Sequence, residues 1–234
     1  MIELRPLDSH GRTRNERIDA VHHLAFSAFQ DLRRIDWGDL VTLNHNLLPP
    51  RGEIRAQPID GVDSLAIVRN GVIAHSGIFG PKCRAVTGEV MLVSPGRGME
   101  HGYFNPGIRA ADYFELRIRA DALPDRPMHR TALFPTRSQV DEAVVIASPW
   151  PEDRGALRLH GSTRVHAARI RRRSEVSFRF DPGAMAYAVV LAGRLRVGDL
   201  TLGPGDGCAM RHERALTLRA LDAAHILVVE TVSL

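Results

Sequence analysis

The sequence predicts an all-β protein of two similar domains, and three observations carry that reading. Glycine and proline are frequent, 20 and 14 in 234 residues, while aromatic residues make up only 6%. That balance favours many short strands joined by turns. Apolar residues recur at alternate positions over short runs rather than at helical spacing. A succession of strand, glycine turn, strand and Pro-Gly turn in the first half returns in the second. The length suits two cores of ordinary size.

Charge and composition narrow the function classes. Lys+Arg number 31 against 27 Asp+Glu, for a net charge of +4, and Lys82 is the only lysine. With acids and bases interspersed, no nucleic-acid partner is expected. The basic run Arg169-Ile170-Arg171-Arg172-Arg173 lacks interleaved aromatics and reads as a solvated strand end. Cys83 and Cys208 stand far apart, without the spacing of a zinc site or a disulfide framework. The opening Met1-Ile2-Glu3-Leu4 carries no apolar leader and no run reaches a membrane span, so a cytoplasmic protein without membrane attachment is expected.

In chain order, residues 9–19 are polar and read as an exposed opening segment. His22 and His23 follow. Neighbours on a strand point to opposite faces, so at most one of them faces a cavity. Residues 40–48 form a strand ended by Pro49-Pro50, and His45 lies on the way to the mouth of the first domain. Residues 65–68 read as a buried strand, Asn70-Gly71 as a tight hairpin turn, and residues 72–76 as the returning strand. Residues 88–93 form a further strand, turned at Ser94-Pro95-Gly96 toward His101. Residues 112–119 alternate apolar and charged residues as a half-buried strand does. Residues 120–135 read as a linker, dividing domains at 1–122 and 123–234. Beyond it, residues 144–149 and 157–160 are strands. Residues 186–198 then repeat the pattern of 65–73, and residues 200–207 repeat that of 91–98.

The stretch Gln57-Pro58-Ile59, Asp63, the apolar run to Asn70-Gly71, and Gly96-Arg97-Gly98-Met99-Glu100-His101-Gly102-Tyr103 together resemble the pirin family. That family includes quercetin 2,3-dioxygenase-like proteins. The resemblance covers nearly the whole chain and implies two cupin barrels, double-stranded β-helices, in tandem. In pirins the first motif reads His-Pro-His followed by an acid, and the second Gly-x-Gly-x-x-His-x-Glu. Here Gln57, Ile59 and Tyr103 replace three of the four family ligands, and only His101 matches. His75 matches a histidine often seen in pirins and is read as a wall residue.

An iron or copper site requires imidazoles and a carboxylate converging on one point. Gln57 is a feeble ligand and Ile59 is none. The resemblance therefore implies a bicupin that has lost its usual metal site and binds a small ligand or acts as a non-catalytic regulatory partner of another protein. Gln57, Ile59, Asp63, His101 and Tyr103 are expected to line its pocket, with no cofactor. The alternative is a quercetin 2,3-dioxygenase-like oxygenase. It would hold iron, copper, nickel, manganese or zinc on Asp63, His101 and Tyr103, or run metal-free proton transfer through His101 and Tyr103. In the second half His212 follows the Pro-Gly turn, but Met185-Ala186-Tyr187 supplies no matching histidine pair, so no second metal site is expected.

Overall fold

Leu40–Leu48 forms a nine-residue strand that stops where Pro49 begins, as the loss of ladder donors dictates. It is one of 22 strands in a computed structural model that describes residues 1–134 and 139–231. The N-terminal barrel closes a seven-stranded sheet over a four-stranded one. The larger sheet runs in spatial order Met128–Leu133, Glu89–Ser94, Val62–Asn70, Ala111–Arg119, Leu40–Leu48, Asp19–His22 and Gly11–Arg14. The smaller runs Glu53–Ile59, Met99–Phe104, Val72–His75 and Arg84–Val86. The C-terminal barrel repeats the plan, again with seven strands over four.

The two seven-stranded sheets pack face to face. Phe114, Leu116 and Ile118 from one barrel join Val165, Ala167, Tyr187, Leu227 and Val229 from the other in a single buried cluster. Each barrel has a further cluster of its own. The interior of the C-terminal barrel is filled by Val176, Phe178, Leu195, Leu216, Leu218 and Ile226. In the N-terminal barrel the apolar cluster around Leu48, Val68, Met91 and Tyr113 fills one part of the interior. The other part is polar.

The expected repeat is present, but its turn does different work. Val62–Asn70 and Val72–His75 do not pair with each other; the first lies in the large sheet and the second in the small one. Gly71, at φ 80°, carries the chain around that corner, and a Cβ there would sit 2.8 Å from the carbonyl oxygen of Ala110. Gly193, at φ 73°, is its counterpart between Met185–Ala192 and Leu195–Val197, with a Cβ placed 2.3 Å from Ala223 O. Asn70 stays in the strand, so the hairpin reading of Asn70-Gly71 is corrected to a corner between sheets.

Four other expectations are modified or refined. Residues 9–19 are largely exposed, as expected, but they are not merely an opening segment: Gly11–Arg14 and Asp19–His22 pair and extend the large sheet. The linker 120–135 contains the strand Met128–Leu133, which pairs with Glu89–Ser94, and Pro135 lies outside the described residues. The division at residue 122/123 is crossed twice by strand pairing, once there and once where Ile2–Arg5 pairs with Gly207–Arg211 of the C-terminal barrel. The run at 169–173 is partly engaged, since Arg171 pairs with Asp141 and Arg169 lies over the Phe134 ring. Among the described residues no helix is long and apolar enough to cross a membrane.

The corner geometry predicts that Gly71→Ala and Gly193→Ala each destabilise the protein by about 2 kcal/mol or more, combining left-handed strain with a clash against backbone. Urea unfolding of both variants would measure it.

Candidate functional site

Strand Ala111–Arg119 builds the site because alternate residues share a face. Phe114, Leu116 and Ile118 enter the core between barrels. Tyr113, Glu115 and Arg117 turn the other way, into the N-terminal barrel. The neighbouring strand Leu40–Leu48 adds Asn44 and Asn46 by the same rule, and Asp19–His22 adds His22. A cavity of about 400 Å³ results, lined among others by His22, Asn44, Asn46, Gln57, His101 and Glu115, with Ile18, Ala20, Phe26 and Ile54 as apolar wall. That volume lies in the range of small-molecule sites.

Glu115 is a carboxylate with only 2% of its surface exposed. Burial pushes its pKa up. Arg117 and His101 outweigh that and hold it at about 2, below its ordinary 4.5. Arg117 Nε donates to Glu115 Oε1 at 3.0 Å, and Asn46 Nδ2 donates to Oε2 at 3.4 Å. His101 is also fully buried, and both of its ring nitrogens face protein. Nδ1 lies 3.2 Å from His75 Nε2, while Nε2 lies 3.2 Å from Ser64 Oγ and 3.8 Å from Glu115 Oε1.

Burial, then the neighbouring His101, lowers His75 to about 4, so it is neutral at physiological pH. Its Nδ1 is buried without a hydrogen-bond partner among the described residues. A bare acceptor there is less costly than an orphaned N–H. His75 Nε2–H therefore donates to His101 Nδ1, and His101 Nε2–H donates toward Ser64 and Glu115.

The five residues expected in the pocket separate. Gln57 and His101 line the cavity from facing strands, directly paired in register. Ile59 packs into the barrel's apolar cluster with Met99. Tyr103 is buried in the same cluster, its ring 4.7 Å from that of His101 and its hydroxyl 3.5 Å from Ser64 Oγ. Asp63 points the other way: it accepts hydrogen bonds from Ser94 Oγ at 2.6 Å and from the His160 backbone N–H at 2.7 Å. Its adjacent position on the strand puts it on the face opposite Ser64, where it ties the two halves of the chain together.

Of the remaining histidines, His22 faces the cavity and bonds Asn44 and Thr13, each at 2.8 Å, while His23 turns away to Tyr187. His45 is outside the cavity lining, bonded to Asp112 at 2.8 Å and stacked on Phe114. Sequence reasoning missed Asn44, Asn46, Ser64, Glu115 and Arg117. The available signal was charge and amide at alternate positions of otherwise apolar strands.

At the positions of the family's four ligands, this donor set does not match what a transition-metal ion requires. His101 has each nitrogen committed to a protein partner, Ile59 has no donor atom, and burial keeps the Tyr103 phenol protonated by pushing its pKa well up. Among the described residues no three His, Cys, Asp or Glu side chains form a group that could hold a metal ion.

Comparison with known proteins agrees with the fold. Residues 145–231 match the quercetinase C-terminal cupin domain. PA1210 of Pseudomonas aeruginosa, provisionally named a quercetin 2,3-dioxygenase, is 29% identical over 98% of this chain and 99% of its own. A pirin-like protein of Caulobacter vibrioides is 26% identical over 98% of this chain and 99% of its own. The crystal structure of the Escherichia coli pirin YhhW in complex with nickel(II) superposes with a TM-score of 0.91 at 19% identity, covering 100% of both chains.

Removing Arg117 takes the paired guanidinium away from the buried Glu115 carboxylate. Arg117→Met is expected to cost about 3 kcal/mol, and adding Glu115→Leu to recover much of it. Because the folded pKa of Glu115 lies below its ordinary value, the wild type gains this stabilisation above about pH 4.5 and loses it as pH falls toward 2. Chemical denaturation of the three proteins between pH 3 and 7 would check both. Two barrels of like plan, the C-terminal domain match and relatives aligned over nearly their whole length make this chain a bicupin similar to the pirins.

Proposed function

We propose that this bicupin has lost the family's metal site and uses its N-terminal cavity to bind a small aromatic or carboxylate ligand. The observation that carries the reading is the commitment of both His101 nitrogens to His75 and Ser64. A ligating imidazole must present a free lone pair to the ion, and here the hydrogen-bonded chain uses it instead.

The cavity suits such a ligand. Ile18, Phe26 and Ile54 offer an apolar wall, and Asn44, Gln57 and His22 offer polar groups around it. Arg55 lines the same space without a carboxylate partner among the described residues, which provides a counter-charge for a carboxylate. A regulatory role toward a protein partner is compatible with this, the ligand then acting as the signal.

The rival is an oxygenase with an unusual metal set. What favours it is the naming of relatives as quercetin 2,3-dioxygenases and the nickel bound by YhhW. Against it stands the separation of its proposed ligands, since Asp63 faces His160 rather than His101.

Metal content measured by mass spectrometry after separate incubation with iron, copper, nickel, manganese and zinc should show less than a tenth of an equivalent. Gln57→His/Ile59→His/Tyr103→Glu, which restores the family's set, should raise it toward one. Near-stoichiometric metal in the wild type that disappears in His101→Ala would overturn the proposal and revive the oxygenase. For the ligand, calorimetry with benzoate should give saturable binding that Arg55→Ala weakens about tenfold.

A further inference from the structure

A second cavity lies away from the first, where strand Ile2–Arg5 joins strand Gly207–Arg211. It measures about 350 Å³ and is lined by Glu3, Arg5, Arg33, Trp37, Arg211 and His212, together with Met1 and Ala209. We propose that it binds a phosphoryl oxyanion.

Arg5 is the centre of the argument. Its side chain is 2% exposed, a rare setting for a guanidinium. Nε and Nη2 reach the Glu3 carboxylate at 3.1 and 3.4 Å, but Glu3 is itself half in water. Nη1 is buried with no hydrogen-bond partner among the described residues. A buried charge with an unused donor is costly, and native proteins rarely retain one without a use.

The surroundings add positive charge. Arg5 Cζ lies 4.9 Å from the Trp37 ring centre and Arg211 Cζ lies 4.5 Å from it. Trp37 is held in place, 4% exposed, with its indole N–H donating to Ala186 O at 2.9 Å. Two guanidinium groups are thus gathered about one indole, and Arg211 has no carboxylate partner among the described residues. The other charges at the rim are balanced: Arg33 is paired with Asp31, and the Met1 amino group with Glu213.

An anion in this cavity would meet donors arriving from more than one direction. Guanidinium forks bind phosphate oxygens with charge-assisted hydrogen bonds, and a tetrahedral anion offers oxygens to Arg5 and Arg211 together. Bound there, it would bridge the N-terminal strand and the C-terminal barrel and so stabilise their pairing. The shared chemistry is the phosphoryl group, either free phosphate or the monoester of a small metabolite.

Titration calorimetry on the whole chain at constant ionic strength, with chloride as compensating salt, tests it with two probes, inorganic phosphate and phenyl phosphate. Saturable one-to-one binding is expected, at least tenfold weaker in Arg211→Ala. That residue is exposed, so the fold should be intact. Phosphate should also raise the melting temperature of the wild type more than that of the variant. Phenyl phosphate binding tenfold tighter than inorganic phosphate would assign a monoester, and equal binding the free anion. Absence of saturable heat with both probes, or unchanged affinity in both Arg211→Ala and Arg211→Glu, would overturn the proposal. Arg5→Met adds a second reading where it folds: it should abolish the phosphate-dependent rise.

Discussion

Strand Ala111–Arg119 has no face in water, and the rest of the molecule is arranged around that constraint. Its even-numbered residues Phe114, Leu116 and Ile118 meet the other barrel, so the sheet beneath them must be covered by a second sheet of equal extent. Its odd-numbered residues Tyr113, Glu115 and Arg117 then have nowhere to go but the inside of their own barrel. A carboxylate in that position requires a cation and amides close by, and Arg117, Asn46 and His101 supply them. The cavity is polar because the inter-barrel contact is apolar.

This coupling bears on the partners of His101. His101 is buried, so both of its ring nitrogens require partners, or it would be a buried polar group left unsatisfied. His75 and Ser64 meet that need from strands already present. His101 is thus hydrogen-bonded to His75 and Ser64, with the Glu115–Arg117 pair 3.8 Å from its Nε2. The cavity is lined by amide, imidazole and guanidinium groups.

Much of the fold was legible in the sequence, because strand periodicity and turn glycines are local signals. The strand before Pro49 and the paired corners at Gly71 and Gly193 are examples, although the sequence says only that the chain turns there. Whether Asn70-Gly71 returns the strand upon itself or passes it to another sheet depends on partners far along the chain, such as Ala111–Arg119 for one side and Met99–Phe104 for the other. The site was less legible. Asp63 and Ser64 are neighbours, and motif order cannot say which of the two faces inward; the structure turns Ser64 in and Asp63 out. Glu115 read as the solvent side of a half-buried strand, since a charge at alternate positions carries no mark of the sheet that will cover it.

Strand Ile2–Arg5 is made long before its partner, Gly207–Arg211, and the two can pair only after both barrels' intervening strands have been synthesised. The C-terminal barrel cannot be completed by C-terminal residues alone, nor the N-terminal sheet without Met128–Leu133. The two halves resemble a tandem repeat, yet each withholds from the other an edge that would otherwise stand open. Until Gly207–Arg211 is made, Ile2–Arg5 is an unpaired edge strand in waiting, and the long closure from Ile2 to Met210 is a step that local folding cannot hasten.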